Sequence, residues 1–290
     1  MADDSIPVDL FNPGQVFACL GFLEAADVLL GEAEGSFDWT DEANVRFQLG
    51  AKGDKNPFAA VLQFLAAAKV FAQAPGGSGL RTAKWGIPTE EINGNAPYPY
   101  PTPQSPATLP AVLVASEKAI LIDHWGDATN RDAAKFWAGS GGYPGAALAR
   151  DALDLVRDCS TSDVEDPFAF CRPQSSSYRF DWRRDYIPID AGFSPNDHGD
   201  MNMMGFPLVE ILAAIGLGNA RPKRLRKLEY RYSVIGRTAA DGLYAPTFLR
   251  AALGCPALPF PQRFFRMQLG WPGKENQARC ITNITEERYP

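Results

Sequence analysis

Histidine is scarce in this chain, and its scarcity excludes most histidine-dependent chemistry. Only His124 and His198 occur in 290 residues, and the five cysteines are scattered without a CxxC pair. A disulfide framework and a structural zinc site are therefore both disfavoured, and we expect no metal and no cofactor. No apolar run reaches the roughly 18–20 residues that span a bilayer, and the N-terminus lacks the basic region of a signal peptide. We therefore expect a cytoplasmic protein.

The charge of the chain divides between an acidic part and a basic part. Residues 1–170 contain 11 Lys and Arg against 23 Asp and Glu, a net charge of −12. Residues 171–290 contain 17 against 11, a net charge of +6, so the overall charge of −6 hides a basic C-terminal part. An acidic body with a basic segment is typical of a subunit that binds a phosphate backbone on one side and protein on the other.

The order of the predicted elements favours an α+β fold with mixed, mainly antiparallel sheets and packed helices. Alternating or β-prone residues predict strands at 6–11, 36–39, 45–49, 178–182 and 228–235, short apolar runs predict strands at 111–114 and 119–123, and 260–269 is a further strand candidate. Apolar residues at helical spacing predict helices at 15–30, 58–74, 130–139, 146–159 and 208–217. Because the strands pair as hairpins with helices between them, a doubly wound parallel sheet is disfavoured. We expect residues 1–290 to form one unit.

Proline and glycine are concentrated in the tract from residue 75 to residue 110. It includes the sequence YPYPTP at 98–103, in which every second residue is proline. Proline removes a backbone donor and clashes with the preceding turn, so this tract cannot hold a regular helix. We expect an extended loop that becomes ordered on a partner.

Three groups of segments together resemble one protein family. The first is PVDLFNPGQVFACLGFLE at 7–24, and the second is IDHWG at 122–126 followed by KFWAG at 135–139. The third comprises FDWRRD at 180–185, DAGFSPND at 190–197, GFPLVEILAAIGL at 205–217 and Arg221-Pro222. In order and spacing these segments resemble the small CRISPR-associated proteins of subtype I-U, also called I-G, over most of residues 6–235.

The resemblance implies a non-catalytic, large-subunit-like component of a crRNA-guided antiviral surveillance (Cascade-type) ribonucleoprotein. Such a subunit would bind crRNA, target DNA or both, beside a backbone subunit, a crRNA-processing subunit and a recruited helicase-nuclease. In these complexes guide pairing reads the sequence, while protein reads shape and a short flanking motif. The family has no defined catalytic motif, so the resemblance implies no catalytic residue. Which strand is bound, and whether the flanking motif is recognised, stay open.

The densest basic stretch is RPKRLRKLEYRYS at 221–233. Cations there can follow phosphates, and tyrosine rings can stack on unpaired bases. Alternation would place Tyr230 and Tyr232 on one face of a strand, with Glu229 and Arg231 on the other. The alternative is a strand edge that Lys and Arg keep soluble, or a docking site for an acidic protein. The candidate nucleic-acid-binding residues here are Arg221, Lys223, Arg224, Arg226, Lys227, Tyr230, Arg231, Tyr232 and Arg237.

Two further segments supply candidate nucleic-acid contacts. The guanidinium groups of Arg183 and Arg184 suit phosphates and base edges, with an ion-pair cluster around the neighbouring aspartates as an equal alternative. Asn196 and His198 lie in a polar loop and are candidate contacts as well. A divalent metal in that loop is a less common arrangement than an Asx turn without a ligand.

Two other functions stay open beside the nucleic-acid-binding subunit. A hydrolase or nuclease would use Asp123, His124, Asp197 and His198. Neighbouring residues on a strand face opposite ways, which is a poor arrangement for a relay between Asp123 and His124. The other alternative is a protein scaffold that contacts no nucleic acid, and its binding would lack the steep salt dependence of phosphate contacts.

Overall fold

A computed structural model of the protein describes residues 1–94, 105–123, 143–159, 164–186, 203–236, 242–271 and 279–288. Within these ranges the chain forms five α-helices and thirteen strands in four mostly antiparallel sheets, with the helices packed against them. The predicted α+β class is therefore confirmed. Within the same ranges, no helix combines the length and the apolar character needed to cross a membrane.

The helices begin with proline or directly after it. They are α1 (Pro13–Leu29), α2 (Pro57–Ala67), α3 (Gly145–Val156), α4 (Pro207–Gly216) and α5 (Pro246–Leu253). Proline is favoured at the first helical position because its fixed φ suits the helix and its missing N–H would have no partner there. Proline therefore marks where these five helices begin.

The strands form three larger sheets and one short ladder. They are β1 (Ala2–Pro7), β2 (Glu34–Asp38), β3 (Arg46–Ala51), β4 (Lys69–Pro75), β5 (Thr89–Ile92), β6 (Ala111–Ala115), β7 (Lys118–Ile122), β8 (Arg172–Pro173), β9 (Met204–Gly205), β10 (Lys223–Arg226), β11 (Glu229–Ile235), β12 (Gln262–Gly270) and β13 (Cys280–Glu287). The sheet orders are β1-β3-β2, β5-β4-β6-β7, β10-β11-β12-β13 and β8-β9, and the only parallel pair of described strands is β4 with β5.

The core is built around α1 and α4, which are mostly apolar and largely buried. Every residue from 13 to 26 of α1 is buried, and so is every residue of α4. A helix without a polar face must be covered all round, and α1 packs against α2, α4 and α5. Glycines let α1 and α4 approach closely, because a Cβ on Gly21 would overlap the carbonyl oxygen of Leu212.

Several predicted elements differ from the structure, and the segment predicted as a strand at 178–182 forms none. The helix predicted at 58–74 ends at Ala67, and residues 69–75 form β4 instead, because alternate residues of this segment turn into the core. The first strand lies at residues 2–7 rather than 6–11. Within the proline-rich tract, β5 pairs with β4; residues 95–104 lie outside the described ranges. The helix predicted at 130–139 lies outside them as well.

Candidate nucleic-acid interface

A basic hairpin lies at one edge of the β10-β11-β12-β13 sheet. Strand β10 pairs antiparallel with β11, and residues 227–228 form the turn. Leu228 has a φ of 64°, the left-handed conformation that a tight hairpin turn requires. Four side chains of β10 and the turn are exposed and define the basic hairpin: Lys223, Arg224, Arg226 and Lys227.

The register of the sheet aligns further cations with the hairpin. Lys223 lies opposite Arg231, Arg231 lies opposite Arg266, and Arg266 lies opposite Thr285. Paired residues of an antiparallel sheet point to the same side, so this row crosses all four strands. With neighbouring strands about 4.8 Å apart, the row spans about 14 Å. We call this side of the sheet the outer face.

Two carboxylates neutralise part of the charge of the outer face. Arg226 Nε lies 2.5 Å from Glu229 Oε2, and Arg266 pairs with the same carboxylate. Arg231 Nε lies 2.6 Å from Glu287 Oε2. Burial acts to raise the pKa of Glu229, but Arg226 and Arg266 hold that pKa below its ordinary value. Glu229 is therefore ionised at neutral pH, and the three arginines are held in a fixed network.

The available positive charge lies mainly on the hairpin. Lys223 and Lys227 form no ion pair with any residue in the described ranges. The side chain of Arg226 stays 70% exposed despite its ion pair. Exposed cations on an edge strand can contact a phosphate backbone, and they also protect the edge against unwanted strand pairing.

The predicted stacking role of Tyr230 and Tyr232 does not hold, because both rings lie in the core. They share a face of β11, as alternation predicts, but this is the inner face: Tyr230 is 5% exposed and Tyr232 is 0% exposed. The Tyr232 hydroxyl donates to the carbonyl oxygen of Leu10 at 2.8 Å, and its ring stacks on Phe265 with centroids 5.2 Å apart. A base cannot reach either ring in this structure.

Arg183 and Arg184 are both bound to other groups of the protein, which favours the ion-pair alternative over phosphate contacts. Arg184 is buried and donates to Ser177 Oγ and to the carbonyl oxygens of residues 174 and 175. Arg183 forms an ion pair with buried Asp181 at 2.6 Å and lies over the ring of Phe206. The ion-pair alternative therefore describes Arg183, while the partners of Arg184 are mostly neutral oxygens.

Several other candidates lie outside the described ranges. They are Asn196, His198 and Arg237, together with the hydrolase candidates His124 and Asp197. Asp123 follows β7, and burial raises its pKa while the charge of Arg221 lowers it. Arg221 therefore lies close enough to Asp123 to favour its ionised form. Among the residues that the structure describes, no group of three His, Cys, Asp or Glu is placed to hold a metal.

A buried glutamate fixes the segment that carries Trp182. Glu210, in the first turn of α4, accepts hydrogen bonds from the backbone N–H groups of Phe180 and Asp181, both at 3.1 Å. Burial raises the pKa of Glu210 to about 7, although these two donors act in the opposite direction. The Asp181 side chain accepts from Asn12 Nδ2 at 2.9 Å, which ties the segment to the start of α1.

Sequence reasoning missed Arg266 and the two exposed aromatic residues near β13. Arg266 lies in a segment with the alternation of a strand, and pairing that strand with β11 would have placed it beside Arg231. Phe11 and Trp182 are 41% and 47% exposed. No local pattern distinguishes an exposed aromatic ring from a buried one.

Comparison with known proteins finds no matching family model, no similar curated protein and no similar solved structure.

Proposed function

We propose that this protein is a non-catalytic, nucleic-acid-binding subunit of a cytoplasmic crRNA-guided surveillance complex. The observation that carries the proposal is the basic hairpin, with four exposed cations on one edge strand and its turn. The resemblance of residues 6–235 to CRISPR-associated proteins of subtype I-U supports the same function. The phosphate backbone of crRNA or target DNA is the ligand that this hairpin would take, with neighbouring Cascade subunits as protein partners.

The chemistry of the hairpin favours binding without sequence reading. Lysine and arginine contacts to phosphate give affinity and register but carry no base information. The arginines of the outer face are already bound to Glu229 and Glu287, so they shape the surface and contribute less free charge. Such a surface suits a subunit in which guide pairing supplies the sequence specificity.

Reversing charge on the hairpin is expected to weaken nucleic-acid binding and flatten its salt dependence. In the double variant Lys223→Glu/Lys227→Glu, affinity for a single-stranded RNA should fall at least about tenfold at 0.1 M salt. Each lost phosphate contact on a single strand removes about 0.7 from the slope of log K against log salt, so the slope should decrease by about 1.4. Fluorescence anisotropy titrations at several salt concentrations measure both quantities.

The matched control is Lys55→Glu/Lys69→Glu, which changes net charge equally at two other exposed lysines. Its affinity and salt slope should stay close to those of the unmodified protein. Equal loss in both double variants would assign the effect to overall charge. Binding that does not depend on salt in the unmodified protein would favour the protein-scaffold function instead.

A further inference from the structure

An aromatic groove lies along the edge of the sheet opposite the basic hairpin. It has a volume of about 240 Å³ and is lined by Phe11, Trp182 and residues 281–284 of β13. Apolar cavities of about 150 Å³ already admit benzene, so the groove has room for one planar ring. Phe11 and Trp182 are among the few large apolar side chains that the described part of the chain leaves exposed.

The lining of the groove is chemically suited to a flat, polar-edged ring. Four consecutive residues of β13 line it, and side chains alternate along a strand, so the groove runs beside the strand's backbone edge. Among the described strands, β13 pairs only with β12, and its other side lacks a strand partner. Backbone N–H and C=O groups and the amide of Asn283 are thus next to two aromatic rings. Stacking on aromatic rings and hydrogen bonding at the ring edge are how proteins hold unpaired bases.

Phe11 packs on Phe265 of the inner face, and Asn283 of the outer face lines the same groove, so the groove lies at the β13 edge between the two faces. Asn283 lies opposite Gln268, Gln268 lies opposite Glu229, and Glu229 lies opposite Arg226 of the basic hairpin. A strand whose phosphates contact the hairpin can therefore cross the sheet along this row and reach the β13 edge. Among the described residues, the groove is lined by no charged side chain, which suits a base rather than a phosphate.

We infer that the groove between Phe11, Trp182 and β13 binds an unpaired nucleobase of a single strand held by the basic hairpin. This inference rests on the proposed function and adds a base-stacking site that the buried tyrosines cannot supply. Every base has an aromatic face, so stacking there tolerates any sequence. Glu210 holds the backbone just before Trp182 in place, because it accepts hydrogen bonds from the N–H groups of Phe180 and Asp181.

The test compares oligouridylate with an abasic oligomer of the same length and phosphate number. The unmodified protein should bind oligouridylate about 5- to 150-fold more tightly, the range expected for one stacked base. Trp182→Ala should lose that preference while its affinity for the abasic oligomer stays unchanged. Trp182→Phe should retain most of the preference, and Phe248→Ala, a control at another exposed aromatic residue, should retain all of it.

The outcomes separate this inference from the proposed function. Equal affinity of the unmodified protein for both oligomers would overturn the base site and leave phosphate binding intact. An unchanged preference in Trp182→Ala would also overturn it. If Trp182→Ala instead weakened association with a protein subunit and left the preference intact, the groove would be a protein contact. Failure to bind either oligomer would overturn both the proposed function and the base site.

Discussion

Adding one methyl group at the crossing of α1 and α4 is expected to destabilise the protein strongly. In Gly21→Ala the new Cβ would overlap the carbonyl oxygen of Leu212, and in Gly216→Ala it would overlap that of Phe17. Both obstacles are backbone atoms of buried helices, so the helices must separate. We expect each change to lower the free energy of unfolding by about 3 kcal/mol or more, although alanine is the better helix former by about 1 kcal/mol.

Urea denaturation followed by circular dichroism measures this loss. The control is Gly242→Ala, because a Cβ at Gly242 would meet no atom of the described residues within 4 Å. Its unfolding midpoint should match that of the unmodified protein. A midpoint for Gly21→Ala equal to that of the control would contradict the close packing of α1 on α4.

Replacing Glu210 by alanine is expected to cost about 3–4 kcal/mol at pH 5. The change leaves the buried N–H groups of Phe180 and Asp181 without their acceptor, and each such group costs about 1–3 kcal/mol. Because this backbone carries Trp182 and Asp181, the variant should also lose the tie between Asp181 and Asn12. Denaturant midpoints give the stability.

The effect of this substitution should depend on pH in a defined direction. Burial raises the pKa of Glu210 to about 7, above the value of about 4.3 for an unfolded chain. The folded state thus holds the proton more tightly, and this stabilisation is complete below about pH 4.3 and lost as pH rises through about 7. The unmodified protein should lose stability from pH 5 to pH 8, and the loss should be smaller in Glu210→Ala. The control Glu117→Ala, at an exposed turn, should keep the full pH dependence, and an equally pH-dependent Glu210→Ala would contradict the assignment.

Local patterns predicted many elements of the fold because they report local geometry. Proline after a polar residue marks the start of α1 at Pro13 and of α2 at Pro57, and alternation marks β11 and β12. The helix predicted through residue 74 failed because alanine-rich sequence fits both a helix and a buried strand. Alternate residues of this segment turn into the core only at 69–75, and this period of two is the pattern of a strand.

The site was predicted less well, since it depends on which face of each element turns inward. Alternation placed Tyr230 and Tyr232 together, yet whether that face meets solvent or α1 is decided by packing between distant segments. Arg184 looks like a phosphate contact in sequence, but its partners are oxygens of residues 174, 175 and 177. The exposed cations Lys223, Arg224, Arg226 and Lys227 remain candidates, because few other segments cover a hairpin at the edge of a sheet.

Photo-crosslinking of a 4-thiouridine RNA, followed by mass spectrometry of the linked peptides, tests most directly whether the hairpin meets nucleic acid. The crosslinked peptides should include residues 223–227, and this crosslink should disappear in Lys223→Glu/Lys227→Glu. Crosslinks that leave out residues 223–227, or that are unchanged in that variant, would show that the hairpin does not meet the RNA.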